Sequence, residues 1–198
     1  MNACPNGGTA TIYVNAGSAN GSQNFQQAST YLYIDGGTSV FSFLLSNYQS
    51  LTPPAVTRVL NNGSNYSIML FGRADVPTSD YRFAKLVLLE DDHIAPPSGD
   101  AYIRFINAAP DAATSKAYFG AATLSNVLDY SDWTNYVAVP AGTASLSVTP
   151  SGAAPITLPQ QFKAGEAYSV ILTEPSIPTS SPTVQKATYA VWILGDDV

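Results

Sequence analysis

The chain has 198 residues and a net charge of -6, with its eight Lys and Arg placed singly, which excludes the basic stripe that nucleic-acid binding requires. Charged residues make up only 11%, against about 25% in ordinary soluble domains. Ser, Thr, Asn, Gly, Ala and Tyr take their place, the look of an exported or cell-surface β protein rather than a cytosolic enzyme. No apolar run of about 18 residues offers a transmembrane helix. No signal-peptide pattern opens the sequence, so export implies a targeting segment removed beforehand.

Met1–Gly8, MNACPNGG, precedes any strand pattern and reads as a flexible N-terminal tail. It carries the single cysteine, Cys4, which rules out an internal disulfide. Cys4 is either a free thiol outside the fold or a lipidated lipoprotein cysteine, since the small Ala3 precedes it and a polar stretch follows. Ala10–Asn15 is the first strand and Gly17–Asn24 a loop. Ser29–Ile34 and Thr38–Leu45 read as a hairpin across Asp35-Gly36-Gly37, because Gly tolerates positive φ. Ser39, Phe41, Phe43 and Leu45 suggest burial on both faces for part of that strand. Val56–Leu60, Tyr66–Phe71 and Phe83–Leu89 follow, separated by turn formers, and His93–Gly99 is a Pro-stiffened linker.

Beyond the linker, strands are expected at Tyr102–Asn107, Lys116–Phe119, Thr134–Val139, Thr143–Val148, Ile156–Phe162, Ala167–Thr173 and Lys186–Leu194, with a Pro/Ser loop at Pro175–Pro182. No segment keeps a helical period. Strands recurring every 8–12 residues or so with turn chemistry between them are the signature of β-sandwiches.

The chain repeats itself. At an offset of 105, Tyr31 falls on Tyr136, Ile34 on Val139, Gly37 on Gly142 and Phe41 on Leu146. Later, Gly63 falls on Gly165, Tyr66 on Tyr168, and Leu88–Asp92 on Ile193–Asp197. Matching Asn15 to Asn107, at an offset of 92, gives the second copy about 13 more residues and leaves the first copy one strand short. The expected organisation is a tail over residues 1–8, a first domain over 9–93, a linker over 94–99 and a second domain over 100–198. The fold class is all-β: two tandem immunoglobulin-like antiparallel β-sandwich domains.

INAAPDA (Ile106–Ala112), SKAYFG (Ser115–Gly120), YVAVPAG (Tyr136–Gly142) and FKAGEAYSV (Phe162–Val170) together resemble the family called domain of unknown function 4397. The first copy is a diverged version. The resemblance implies immunoglobulin-like sandwiches in tandem, often on bacterial surface proteins and lipoproteins, and it brings no catalytic residues.

A sandwich one strand short has an exposed edge that must be covered. The chain itself covers it, or an extended segment of another subunit or surface protein adds there by β-augmentation, with Met1–Gly8 a candidate donor. Catalysis finds no machinery: the single histidine, His93, lies at the linker and no G-x-S-x-G elbow accompanies it. One Cys and one His far apart do not make a zinc site. Glu90, Asp91 and Asp92, with Asp100 and Asp111 nearby in sequence, are read as solvated strand ends, a calcium site at the domain junction being the alternative. Trp133 with Tyr130 and Asp132 is read as a staple over the sandwich, with a glycan platform as the alternative. The expectation is therefore a non-catalytic, cofactor-free structural or adhesion protein outside the cytoplasm, self-assembling by strand complementation. The other reading is a carbohydrate-binding module of the cell envelope.

Overall fold

A computed structural model of the chain describes residues 1–48, 55–91, 95–174 and 189–196. Among the described residues there is no helix, and every regular element is a strand. The chain divides into two compact units, with the break just after residue 92.

The first unit contains β1 (Asn2–Ala3), β2 (Ala10–Val14), β3 (Gly17–Gln23), β4 (Gly37–Leu45), β5 (Val56–Leu60), β6 (Tyr66–Phe71) and β7 (Lys85–Glu90). They form two sheets, in the orders β3-β2-β4-β5 and β1-β6-β7. Phe41, Phe43 and Leu45 of β4 share a core with Cys4, Leu60, Leu70 and Leu86, so both sheets line it. β4 alternates strictly, with Ser39, Phe41, Phe43 and Leu45 inward and Val40 40% exposed. Its burial is on one face, not both, because the opposite face has no second layer.

The second unit contains β8 (Asp100–Asn107), β9 (Thr114–Phe119), β10 (Ala122–Asp129), β11 (Val137–Pro140), β12 (Gly142–Pro150), β13 (Ile156–Phe162), β14 (Ala167–Thr173) and β15 (Ala190–Asp196). Its sheets run β10-β9-β12-β13 and β11-β8-β14-β15. The core between them takes Ile103 and Phe105 from β8, Val170 and Leu172 from β14, and Phe119, Leu146 and Phe162 from the facing sheet. Phe119 and Phe162 meet edge-on at 4.8 Å, a favoured aromatic geometry.

Except at β11, the two topologies correspond strand for strand, and the correspondence corrects the sequence alignment. β1 pairs parallel with β6 through Asn2↔Leu70, as β8 pairs with β14 through Asn107↔Leu172. Asn2 therefore stands on Asn107, at the same offset of 105 that aligns the tyrosines. NACPNGG is the counterpart of NAAPDAA. Residues 1–8 are no tail: Asn2, Ala3, Cys4 and Asn6 are buried. The first copy lacks neither the β9 strand nor the β10 strand, whose counterparts are β2 and β3.

β3, GSANGSQ, has the composition of a loop, yet it pairs with β2 from Ala10↔Gln23 to Val14↔Gly17. The reason lies in the turn. Asn15 and Ala16 both have positive φ, 49° and 66°, the handedness of the two-residue hairpin turn whose twist suits antiparallel strands. Ser29–Ile34, in contrast, forms no strand. Its counterpart, β11, is a strand because it lies against β8, through Val137↔Ile103 to Pro140↔Asp100.

A tyrosine anchors the same corner in each unit. The Asn61 backbone N–H donates to Tyr66 Oη at 3.0 Å, and the Lys163 N–H to Tyr168 Oη at 3.1 Å. Each hydroxyl thus ties the turn before a central strand to that strand. Tyr66→Phe and Tyr168→Phe should each lower unfolding free energy by about 1 kcal/mol, the net value of one such bond. Denaturant melts of the single variants and the pair would check this, and the two losses should add because the sites share no partner.

Candidate functional site

The geometry of one strand in the second unit defines what is distinctive about the first. β8 runs between two neighbours, parallel to β14 from Ala167↔Tyr102 to Leu172↔Asn107 and antiparallel to β11. Both its edges are hydrogen-bonded, as buried backbone requires. Ala101, Ile103 and Phe105 point into the core and are fully buried. Arg104 alternates to the other face. It is 2% exposed, its Nε donates to Ser169 Oγ at 2.6 Å, and its guanidinium lies 5.0 Å from the centre of the Tyr136 ring.

In the first unit, β1 meets β6 only at Asn2↔Leu70 and Ala3↔Phe71. Among the described residues, no strand lies on that side of β6 over Tyr66, Ser67 and Ile68. Across the way, the β11 counterpart 32–35 is unpaired among them. Tyr31, Leu32 and Tyr33 are 51%, 44% and 93% exposed. Thus β1 lies beside only the C-terminal end of β6, at Leu70 and Phe71, and by the offset of 105 the positions matching Asp100–Phe105 fall before Met1.

Met1 extends the contact with β6 by one residue. Its nitrogen donates to Ile68 O at 3.0 Å, and its carbonyl accepts from the Leu70 N–H at 3.0 Å. Tyr31, Ser67 and Asp91 form one hydrogen-bonded wall. Tyr31 Oη and Ser67 Oγ both donate to Asp91 Oδ2, at 3.2 and 2.7 Å, and Asp91 is 3% exposed. Tyr31 and Ser67 are the counterparts of Tyr136 and Ser169. The same Tyr–Ser pair that lies against a buried cation in the second unit lies against a buried carboxylate in the first.

Cys4 sits in the core of the first unit at 0% exposure, on the position Ala109 holds in the second. Burial pushes its thiol up to about 12. Cys4 is thus part of a core and does not lie in a tail outside the fold. Gly7 beside it has no room for a side chain, since a Cβ there would lie 2.6 Å from Leu45 and 3.2 Å from Cys4 Sγ.

The other residues singled out in the sequence do not gather. Glu90 and Asp111 are exposed, Asp100 is half-buried at the start of β8, and Asp92 and His93 lie outside the described residues. Among the described residues, no three acidic, His or Cys side chains form a group that could hold a metal ion. Trp133 is 43% exposed and Asp132 exposed, but Tyr130 is only 8% exposed. The backbone around Trp133 bridges to Ile106, and the Thr134 N–H donates to Phe105 O at 2.9 Å. Tyr130 therefore offers no ring face to a sugar, which corrects the three-residue platform. The Tyr31–Ser67–Asp91 wall was missed, although the constant offset linking Tyr31 to Tyr136 was the available signal.

The family model described as Domain of unknown function (DUF4397) matches residues 1–118 and again residues 101–188. No curated protein matches the chain. Among the described residues no helix is long and apolar enough to cross a membrane.

One outcome follows from the burial of Cys4. It should resist a thiol reagent at pH 8 in the native protein and react at once in strong denaturant; rapid native labelling would place it outside the core.

Proposed function

We propose that this chain, which belongs to the DUF4397 family, is a non-catalytic structural or adhesion-type protein of two immunoglobulin-like β-sandwich domains in tandem. It works outside the cytoplasm and holds a partner, either another copy of itself or a second surface protein, by strand addition. The observation that carries this reading is the pair of sheet-end strands with exposed apolar side chains, β5 with Val59 71% exposed and β10 with Val127 65% exposed. A row of backbone donors and acceptors is a template for an incoming strand.

The immunoglobulin-like description rests on two sheets enclosing one core in each unit and on the tyrosine that fastens the corner before a central strand, a device of such sandwiches. The placement outside the cytoplasm rests on a surface built from small polar and aromatic residues with 11% charge. Low charge suits durable contact surfaces, since it reduces the desolvation cost of docking.

Light scattering on a sizing column, over a wide range of concentration, tests the self-assembly arm. The expected result is a rise in mass above the 20.9 kDa of one chain, with a head-to-tail ladder rather than a closed dimer, because donor and acceptor are different surfaces. A single species at the monomer mass throughout would overturn self-assembly and leave only a foreign partner.

A further inference from the structure

We propose that β5 of the first unit accepts an extended strand of a second protein, and that Arg58 selects a strand with a carboxylate opposite it. The inference rests on the strand-addition reading above and names the edge, the register and the side-chain code.

The edge follows from how two sheets end. The end strands of β3-β2-β4-β5 and β10-β9-β12-β13 are β3, β5, β10 and β13. β3 slips register against β2 between Thr11 and Tyr13, β10 slips twice against β9, and β13 places Pro159 opposite Ser145. Irregular register and edge prolines hinder the addition of a further strand. β5 has neither: VTRVL pairs with β4 without a shift from Gly37↔Leu60 to Phe41↔Val56. Thr57 holds the place of Pro159, since their partners Val40 and Ser145 match at the offset of 105. Val40 donates its N–H to Asn15 Oδ1 and accepts the Asn15 N–H on its carbonyl, both at 2.9 Å. Its backbone therefore turns to the β2 side. Its β5 partner Thr57, with Val59 two residues on, turns N–H and C=O to the open side.

Charge supplies the code. Arg58 is exposed, and its Nη1 donates to Thr57 O at 2.9 Å, so the guanidinium caps an acceptor of the open edge. Arg73 and Arg82 each hold a carboxylate, Asp75 at 2.6 Å and Asp80 at 2.8 Å; among the described residues Arg58 holds none. A strand adding to β5 takes Thr57 O for its own N–H and strips Arg58 of that acceptor. A carboxylate opposite Arg58 replaces it with a charge-assisted bond, whereas a cation there sets like charges side by side. The sheet is antiparallel throughout. Continued in that sense, it puts Arg58 in a non-hydrogen-bonded pair, where facing side chains lie closest. Donor residues opposite Val56 and Leu60 share that face and meet apolar side chains of the first core. Those opposite Thr57 and Val59 lie on the other face, with Thr38 and Val40. The donor thus reads apolar, β-branched, acidic, β-branched, apolar. Among the described strands of this chain, carboxylates stand only at strand ends, Glu90, Asp100, Asp129 and Asp196. A second copy offers no central carboxylate there, and the donor is a different protein.

The test titrates a fluorescent, capped peptide VTETV into the full chain by anisotropy, with VTQTV and VTKTV alongside. These sequences read the same in both directions, so strand polarity does not bias the comparison. The inference expects VTETV to bind, VTQTV to bind about threefold more weakly and VTKTV more weakly still. In the Arg58→Gln protein the gap between VTETV and VTQTV should close. Thr57→Pro removes an N–H that faces the open side and gives β5 the residue that β13 already carries at that place. It should leave the melting temperature near that of the parent and abolish peptide uptake; undiminished binding would overturn the assignment to β5. Should either variant fail to fold, the peptide series on the unaltered chain decides alone. Equal binding of all three peptides would overturn the charge code and leave strand addition standing. If no peptide binds while the chain grows in mass with concentration, the acidic donor is wrong and self-assembly survives. If no peptide binds and the chain stays a monomer, both fall.

Discussion

In both units a buried asparagine carboxamide carries the crossing from one sheet to the other. Asn107, at the end of β8, donates to Ala112 O and Leu128 O and accepts from the Ala109 N–H. Asn2, at the end of β1, donates to Gly8 O and Gln23 O and accepts from the Cys4 N–H. One side chain thereby satisfies backbone groups that no strand could reach, in a place where an unmade bond costs about 1–3 kcal/mol. Everything downstream follows from this crossing. It places the next strand in the facing sheet, starts the hairpin β2–β3 or β9–β10, and seats the small residue that follows, Cys4 or Ala109, in the core. Cys4 and Ala109 are both small and fully buried at this position.

The units differ in what lies beside the β11 position. β8 gives β11 a partner and β14 a second neighbour, and the sheet reaches four strands. Where no strand is described beside it, the β11 counterpart is not a strand, although Tyr31–Ile34 has all the β propensity of Tyr136–Val139. Propensity in sheets describes fit to neighbours more than backbone preference, and these two segments, similar in sequence and unlike in structure, show it. The exposure of Tyr31, Leu32 and Tyr33 is the local cost of the missing contact.

Much of this fold was legible in the residues. The all-β class, the repeat and most strands of the second unit follow from alternation and turn chemistry. Two things misled the reading, both for physical reasons. β3 is held by a left-handed two-residue turn and by pairing to β2, not by the character of GSANGSQ, so its composition argued for a loop. The NACP stretch has no alternation because its task is a sheet-to-sheet crossing, which has no periodic signature. Holding the offset at 105 instead of allowing 92 would have set Asn2 on Asn107 and placed Cys4 in a core. The exposed edge was ascribed to an absent β9-type strand, but β2 and β3 fill the places of β9 and β10. The buried Asp91 looked like one member of an acidic run, and only its hydrogen bonds to Tyr31 and Ser67 set it apart from Glu90.

The parallel pairing at the centre of the second unit also has a consequence for how the chain is made. Arg104 and Ser169, which touch in the finished unit, are 65 residues apart in sequence. β8 is synthesised first and its parallel neighbour last but one, so the strand that becomes most buried waits longest. At about 5–20 residues per second, that wait is several seconds, long against the microseconds in which the intervening hairpins can close. The local hairpins β9–β10 and β12–β13 are thus available as a preformed floor before β14 arrives to trap β8 upon it. A fold with such distant pairing is expected to mature slowly, and its rate-limiting event is the capture of a strand that was the first of its unit to be made.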